Sequence, residues 1–198
     1  MRALTEGYVY QGEASEFWEG KPRGVPSTQL PPTAFVNFIQ NHDQVGNRAF
    51  SERLTDLASP ECVEALTAIL LLSPQIPLMF MGDEWGETRP FSFFTDFHGE
   101  LAEKVREGRR REFRHFARFA DEASRAHIPD PNDPATFEAS RLDWTALAGG
   151  AGKQRHDLIA GLLATRATEI VPRLSGMADH SVLATVIADR AFRIRWRL

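Results

Sequence analysis

Residues 41–48, Asn41-His42-Asp43-Gln44-Val45-Gly46-Asn47-Arg48, crowd three amides, an imidazole, a carboxylate and a guanidinium into one short segment. Such a set can hydrogen-bond the hydroxyls of a polar substrate and carry one charge for chemistry. Directly before it runs Phe35-Val36-Asn37-Phe38-Ile39-Gln40. A near-continuous apolar, β-branched and aromatic run reads as a strand buried on both faces, here over about residues 35–41. Polar groups gathered where such a strand ends match a site at the C-terminal mouth of a parallel barrel or doubly wound sheet. The plainer reading is a strand that runs into a polar turn with Gly46 at its bend. A second run, Ile76-Pro77-Leu78-Met79-Phe80-Met81, also ends in polar residues, Gly82-Asp83-Glu84-Trp85-Gly86-Glu87. Between the two, Ser59-Pro60-Glu61 supplies an N-cap, a first-turn proline and a first-turn acid. It predicts a helix to about Leu72, with Val63, Leu66, Ile69 and Leu70 or Leu72 inward. Strand, helix and strand form a βαβ unit with a right-handed crossover as the default, and carboxylates at one end of both strands.

The whole chain narrows the classes. It has 198 residues, 42% hydrophobic and 25% charged, which is a soluble globular composition. A net charge of −4 gives no general attraction to nucleic acid or anionic membranes. Cys62 is the only cysteine, so there is no disulfide framework and no cysteine metal site. Without a base close in sequence it reads as a packed thiol. No two of the six histidines are spaced i, i+4, and no metal is expected. The N-terminus lacks an apolar signal core, and residues 65–72 are too short to span a bilayer, so a cytoplasmic protein is the default.

Residues 1–34 are rich in Gly and Pro. Tyr8, Tyr10, Phe17 and Trp18 lie there among polar groups, as stacking platforms for a sugar or as rings that pin the loop to its own scaffold. Residues 49–57 can start a short helix. Phe91, Phe93, Phe94 and Phe97 crowd a loop that either tucks under the fold or lines a pocket. A charged helix is predicted over about residues 100–126, with six arginines from Arg106 to Arg118 interleaved with Glu103, Glu107 and Glu112. Interleaved acids favour a solvated, salt-bridged face over a nucleic-acid patch. A Pro/Asp-rich linker over 127–143, a flexible glycine turn at 149–152 and a helix over 156–170 follow. The tail, 181–187 and 191–198, alternates like strands and stops in mid-pattern, which reads as a truncated chain.

Asn41-His42-Asp43 at the end of a buried strand resembles the fourth signature region of the α-amylase superfamily of retaining α-glucoside enzymes. The longer string from Phe38 to Arg48 is similar to the malto-oligosyltrehalose trehalohydrolase family within it. So are Met81 to Glu87, Pro90-Phe91 with Phe93 to Asp96, Val105 to Phe113, and Leu142-Asp143-Trp144. These blocks stand in the family's order and cover most of residues 8–198. The resemblance implies an α/β fold: the last two βα units of a (β/α)8 TIM barrel, strands seven and eight, with the beginning of a C-terminal β domain. Residues 1–171 would be the C-terminal part of the catalytic barrel and 172–198 the start of the β domain.

It further implies hydrolysis of the α-1,4 bond next to the trehalose end of a malto-oligosaccharide, with no cofactor. Asp43 would be the transition-state stabiliser and His42 would bind the same sugar. Asn41, Gln44, Val45, Gly46, Asn47 and Arg48 would line the site, with Glu84, Trp85 and Asp96 as wall residues. The family's nucleophile and general acid lie on barrel strands four and five, whose motifs are absent here. Arg141-Leu142-Asp143 only looks like the nucleophile pattern and lies after strand eight. The chain alone is therefore expected to be inactive, its partner being the missing N-terminal part of the same enzyme. Open rivals are another superfamily member (branching or debranching), a non-catalytic sugar-binding remnant, and a nucleic-acid binder using the arginine-rich helix.

Overall fold

In the computed structural model, residues 1–177, 181–189 and 191–198 are described. Along the chain run α1 (Arg2–Glu6), β1 (Gln11–Ala14), β2 (Pro22–Gly24), β3 (Val36–Asn37), α2 (His42–Gly46), α3 (Leu54–Leu57), α4 (Pro60–Leu72) and β4 (Ile76–Pro77). Then come α5 (Gly99–Glu112), α6 (Glu122–Ala126), α7 (Pro134–Ala139), α8 (Gly150–Thr165), β5 (Val182–Ala188) and β6 (Ala191–Trp196). They form two units: residues 1–39, 66–78 and 158–198, and residues 40–65 and 79–157.

The first unit holds three two-stranded sheets. β1 and β2 pair antiparallel, as do β5 and β6, while β3 and β4 pair parallel with Val36 opposite Ile76 and Asn37 opposite Pro77. The parallel pairing expected from the strand–helix–strand order is present, but each strand is much shorter than its apolar run. Ile76 donates to Phe35 and Leu78 to Asn37, after which the ladder stops. Farther on, the Phe80 N–H is taken by the Asp83 carboxylate at 3.0 Å.

Arg166 holds the end of α4. Its guanidinium, 7% exposed, donates to the carbonyls of Leu71 (3.0 Å), Ser73 and Gln75 (2.7 Å). Those carbonyls lie at or beyond the helix C-terminus, where no intrahelical donor remains and a cation is favoured. Arg166 itself opens a π-helical turn over Arg166–Ile170, so α8 with that turn covers the helix expected at 156–170. α8 begins earlier than expected, at Gly150. Of the three glycines at 149–152 only Gly152 serves close approach: a Cβ there would stand 2.1 Å from the Ala146 carbonyl oxygen.

On α4, Val63, Thr67, Leu70 and Leu71 are buried, while Ile69 and Cys62 are exposed. Cys62 is therefore not a packed thiol: it lies one position, about 100° of helix, from Val63 and falls outside the buried stripe. Val36 is 51% exposed and Ile76 44%; Phe38 and Leu78 are exposed beside them. Among the described residues no further strand pairs with either outer edge of the two-stranded parallel sheet. The chain is expected to self-associate at micromolar concentration in sedimentation velocity, and a single monomeric boundary there would contradict this.

In the second unit the long arginine-rich helix breaks. α5 ends at Glu112, two 3-10 turns follow, and α6 restarts after Asp121, whose carboxylate accepts from Ser124 N at 2.8 Å. The breaks let Phe113 and Phe119 fold back onto Ala49, Phe50 and Ile128, with ring centroids 5.8 Å apart between Phe113 and Phe119. Burying two phenylalanines outweighs a continuous helix, since each buried ring is worth about 1.5–3 kcal/mol. The Pro/Asp-rich linker is also ordered: Asp133 caps α7, Pro134 takes its first position, and Ile128 is buried. The short helix predicted over 49–57 is confined to α3, because the chain before it turns Arg53 inward.

Candidate functional site

Asn41 starts α2, its side-chain oxygen accepting from Gln44 N at 3.0 Å. Val45 and Gly46 are buried and hold the short helix down, so His42, Asp43 and Gln44 face outward. His42 Nε2 lies 3.4 Å from Asp43 Oδ1. The C-terminus of α2 is fastened by Arg109 of α5. Its guanidinium, largely buried, donates to the carbonyls of Gly46 (2.5 Å) and Arg48 (2.8 Å), and its centre lies 4.7 Å from the Phe113 ring. Arg109 thus departs from the solvated face expected of the arginine run, whose sequence gives no sign which arginine turns in.

Asp43, His42, Gly46 and Asn47 line a cavity of about 230 Å³ with Phe91, Ser92, Phe93 and Phe94. This aromatic segment was legible as a candidate wall and forms one. It is fixed from behind: Ser92 N donates to Ser140 Oγ at 3.0 Å, and Phe91 meets Phe80 edge-on with centroids 5.2 Å apart. Asp43 is the only carboxylate among the lining residues.

Behind the site runs a buried polar network that the sequence did not disclose. Gln40 Nε2 donates to Asp83 Oδ1 at 2.5 Å, and Gln40 Oε1 accepts from Leu54 N at 2.8 Å. Burial pushes the Asp83 carboxyl above the usual range, against the hydrogen bonds from Gln40 and Phe80 and the charges of Arg53 and Arg155. Arg53 donates to the carbonyls of Arg89 (2.7 Å) and Met81 (2.9 Å) and lies over the Phe80 ring. Glu87, also buried, accepts from Thr88, Arg89 and Asp143 backbone N–H groups. Gly82, at φ +90°, allows the turn: a Cβ there would lie 2.6 Å from Glu87 Cβ. The only signal for this network was the clustering of Asp83, Glu84 and Glu87 after an apolar run.

The remaining sequence candidates lie apart from the cavity lining. Glu84 accepts from Gly82 N at 2.9 Å within its own turn. Trp85 is buried against Trp144, ring centroids 4.8 Å apart. Asp96 is fully exposed near His98. Arg48 pairs with Glu52 at 3.2 Å. Asp143, the nucleophile look-alike, caps the turn over Trp144–Ala148; hydrogen bonds from Thr145 hold its carboxyl below the usual range. Among the described residues no group of three or more His, Cys, Asp or Glu side chains is placed to hold a metal ion, and no helix is long and apolar enough to cross a membrane.

No family model matches the sequence. Curated relatives do. The malto-oligosyltrehalose trehalohydrolase of Deinococcus radiodurans is 40% identical over 167 residues, 82% of this chain and 27% of its own length. That of Rhizobium sp. (strain M-11) is 38% identical over 186 residues, 91% of this chain and 30% of its own length. The chain is a homologue of part of the malto-oligosyltrehalose trehalohydrolases. It spans less than a third of the length of these trehalohydrolases. A solved structure from Salmonella typhimurium, provisionally named an alpha amylase, superposes with TM-score 0.91 at 50% identity, over 99% of this chain and 32% of that one. The mixed helix and strand architecture is thus an α/β arrangement found within a larger α-amylase structure.

Proposed function

We propose that this chain supplies the acceptor half of a retaining α-glucoside hydrolase site that acts next to the trehalose end of a malto-oligosaccharide. The carrying observation is the cavity in which Asp43 and His42 face the Phe91–Phe94 wall. A pyranose presents an apolar C–H face to a ring and hydroxyls to a carboxylate and an imidazole, and the cavity offers both kinds of contact. In this reading Asp43 bonds the hydroxyls beside the reacting carbon and gains strength as positive charge develops there. His42 binds the same sugar. Asn47 and Gly46 line the side where trehalose sits, supported by Val45, while Asn41, Gln44 and Arg48 flank it outside the lining. Glu84, Trp85 and Asp96 take no direct part in it, a narrower set than the family resemblance implied.

The same reading makes residues 1–171 the C-terminal part of a (β/α)8 barrel, with β3 and β4 as its last two strands, and residues 172–198 the start of a C-terminal β domain. The parallel pairing of β3 and β4 and the coverage of the relatives support it. No nucleic acid, membrane or cofactor enters, and the compartment is the cytoplasm, as the single cysteine favours. The test is a titration with trehalose and with maltotriose followed by chemical-shift changes. Binding is expected in the millimolar range and about tenfold weaker in Asp43→Asn, as for loss of one charge-assisted hydrogen bond. Equal shifts in wild type and Asp43→Asn would show that the cavity does not take sugar in this way.

A further inference from the structure

A second cavity in the second unit, about 450 Å³, is lined by Arg106, Arg110, Arg111, Arg114 and Arg125, opposed by Glu107 and Glu122. The lining therefore carries an excess of three positive charges in a chain whose net charge is −4. The sequence pattern predicts that interleaved acids neutralise this face, and they do so only at its border. Arg106 pairs with Glu103, and with Asp130 at 3.5 Å. Arg125 is spent on the backbone carbonyls of Phe119 (2.8 Å) and Ala120 (2.7 Å). Arg110, Arg111 and Arg114 form no ion pair with a carboxylate among the described residues. Arg110 donates to the Ala126 carbonyl at 3.5 Å and Arg114 Nε to His115 Nε2 at 3.3 Å, which leaves further guanidinium N–H groups of both without a carboxylate partner.

Like charges brought together in a concave surface raise the potential there and concentrate counter-ions. Guanidinium forks match the oxygens of a phosphoryl group bidentately, which an ammonium cannot do. The volume is that of a small-molecule site. The two glutamates at the wall repel an anion that continues past the arginines, so the recognised group is short and dense in charge rather than a polymer backbone.

We propose that this cavity binds a small molecule bearing a diphosphate group, held by Arg110, Arg111 and Arg114. The site is separate from the Asp43 cavity and does not depend on the function proposed for it.

The test is a titration of the chain with inorganic pyrophosphate, followed by the ³¹P linewidth. Saturable binding is expected, at least about tenfold tighter than inorganic phosphate. The double variant Arg111→Gln/Arg114→Gln is expected to weaken it by about tenfold or more, as loss of charge-assisted hydrogen bonds does. Both side chains are exposed and neither bonds the backbone, so an unchanged thermal midpoint is expected alongside. Arg173→Gln, in the other unit, is the control and is expected to bind as wild type does. Broadening that fails to saturate, an equal loss in Arg173→Gln, or a single-stranded RNA whose affinity grows with its length while pyrophosphate stays unbound would each overturn the proposal.

Discussion

Replacing Arg53 with methionine is expected to lower the unfolding free energy by about 3–5 kcal/mol, the range found when one member of a buried charged network is removed. Arg53 is 1% exposed. It holds the carbonyls of Met81 and Arg89, and its charge lies within influence of Asp83 and Glu87. Burial pulls the guanidinium below its usual pKa, and these carboxylates, with Asp56 and Glu84, work against that pull. Methionine fills much of the same space, so the loss reports the network rather than a cavity. Two part-buried carbonyls would lose their donor and the Asp83 carboxylate would lose a neighbouring cation. Lysine should rescue little, because a point charge cannot serve two carbonyls in fixed directions. Urea unfolding at neutral pH measures it; a loss under about 1 kcal/mol would show that the network is dispensable.

Incubated with maltotriosyl-trehalose, the chain by itself is expected to release no trehalose above a protein-free control. Retaining hydrolysis uses two carboxyl groups about 5–5.5 Å apart, one attacking and one protonating. The cavity lining provides one carboxylate, Asp43. Exchanged for the matching segment of the Deinococcus radiodurans relative, the same chain is expected to restore turnover. In that chimera Asp43→Asn should lower kcat by about 10²–10³-fold with a small change in KM, the outcome that the role proposed for Asp43 requires. Trehalose release by the isolated chain would refute the first expectation. A chimera indifferent to Asp43→Asn would refute the role of Asp43 while leaving the family relation intact.

The sequence alone determined the local features. Ser59-Pro60-Glu61 as a helix start and two apolar runs each ending in polar residues follow from short-range rules, whereas Asn41, read as the end of a strand, caps α2 in the structure. The polar string 41–48 was legible for the same reason, and four of its residues line one cavity. Long-range competition decided the rest. Only folding could show that Arg109, one of three adjacent arginines, turns inward to the Gly46 and Arg48 carbonyls while Arg110, Arg111 and Arg114 gather around a cavity. Only folding could take the Phe80 N–H from a growing strand and give it to Asp83, or break a helix so that Phe113 and Phe119 reach Phe50. In each case a buried polar group needed a partner, or a ring needed cover, from residues far along the chain. Such needs have no signature in local spacing, because they are set by what the fold brings near.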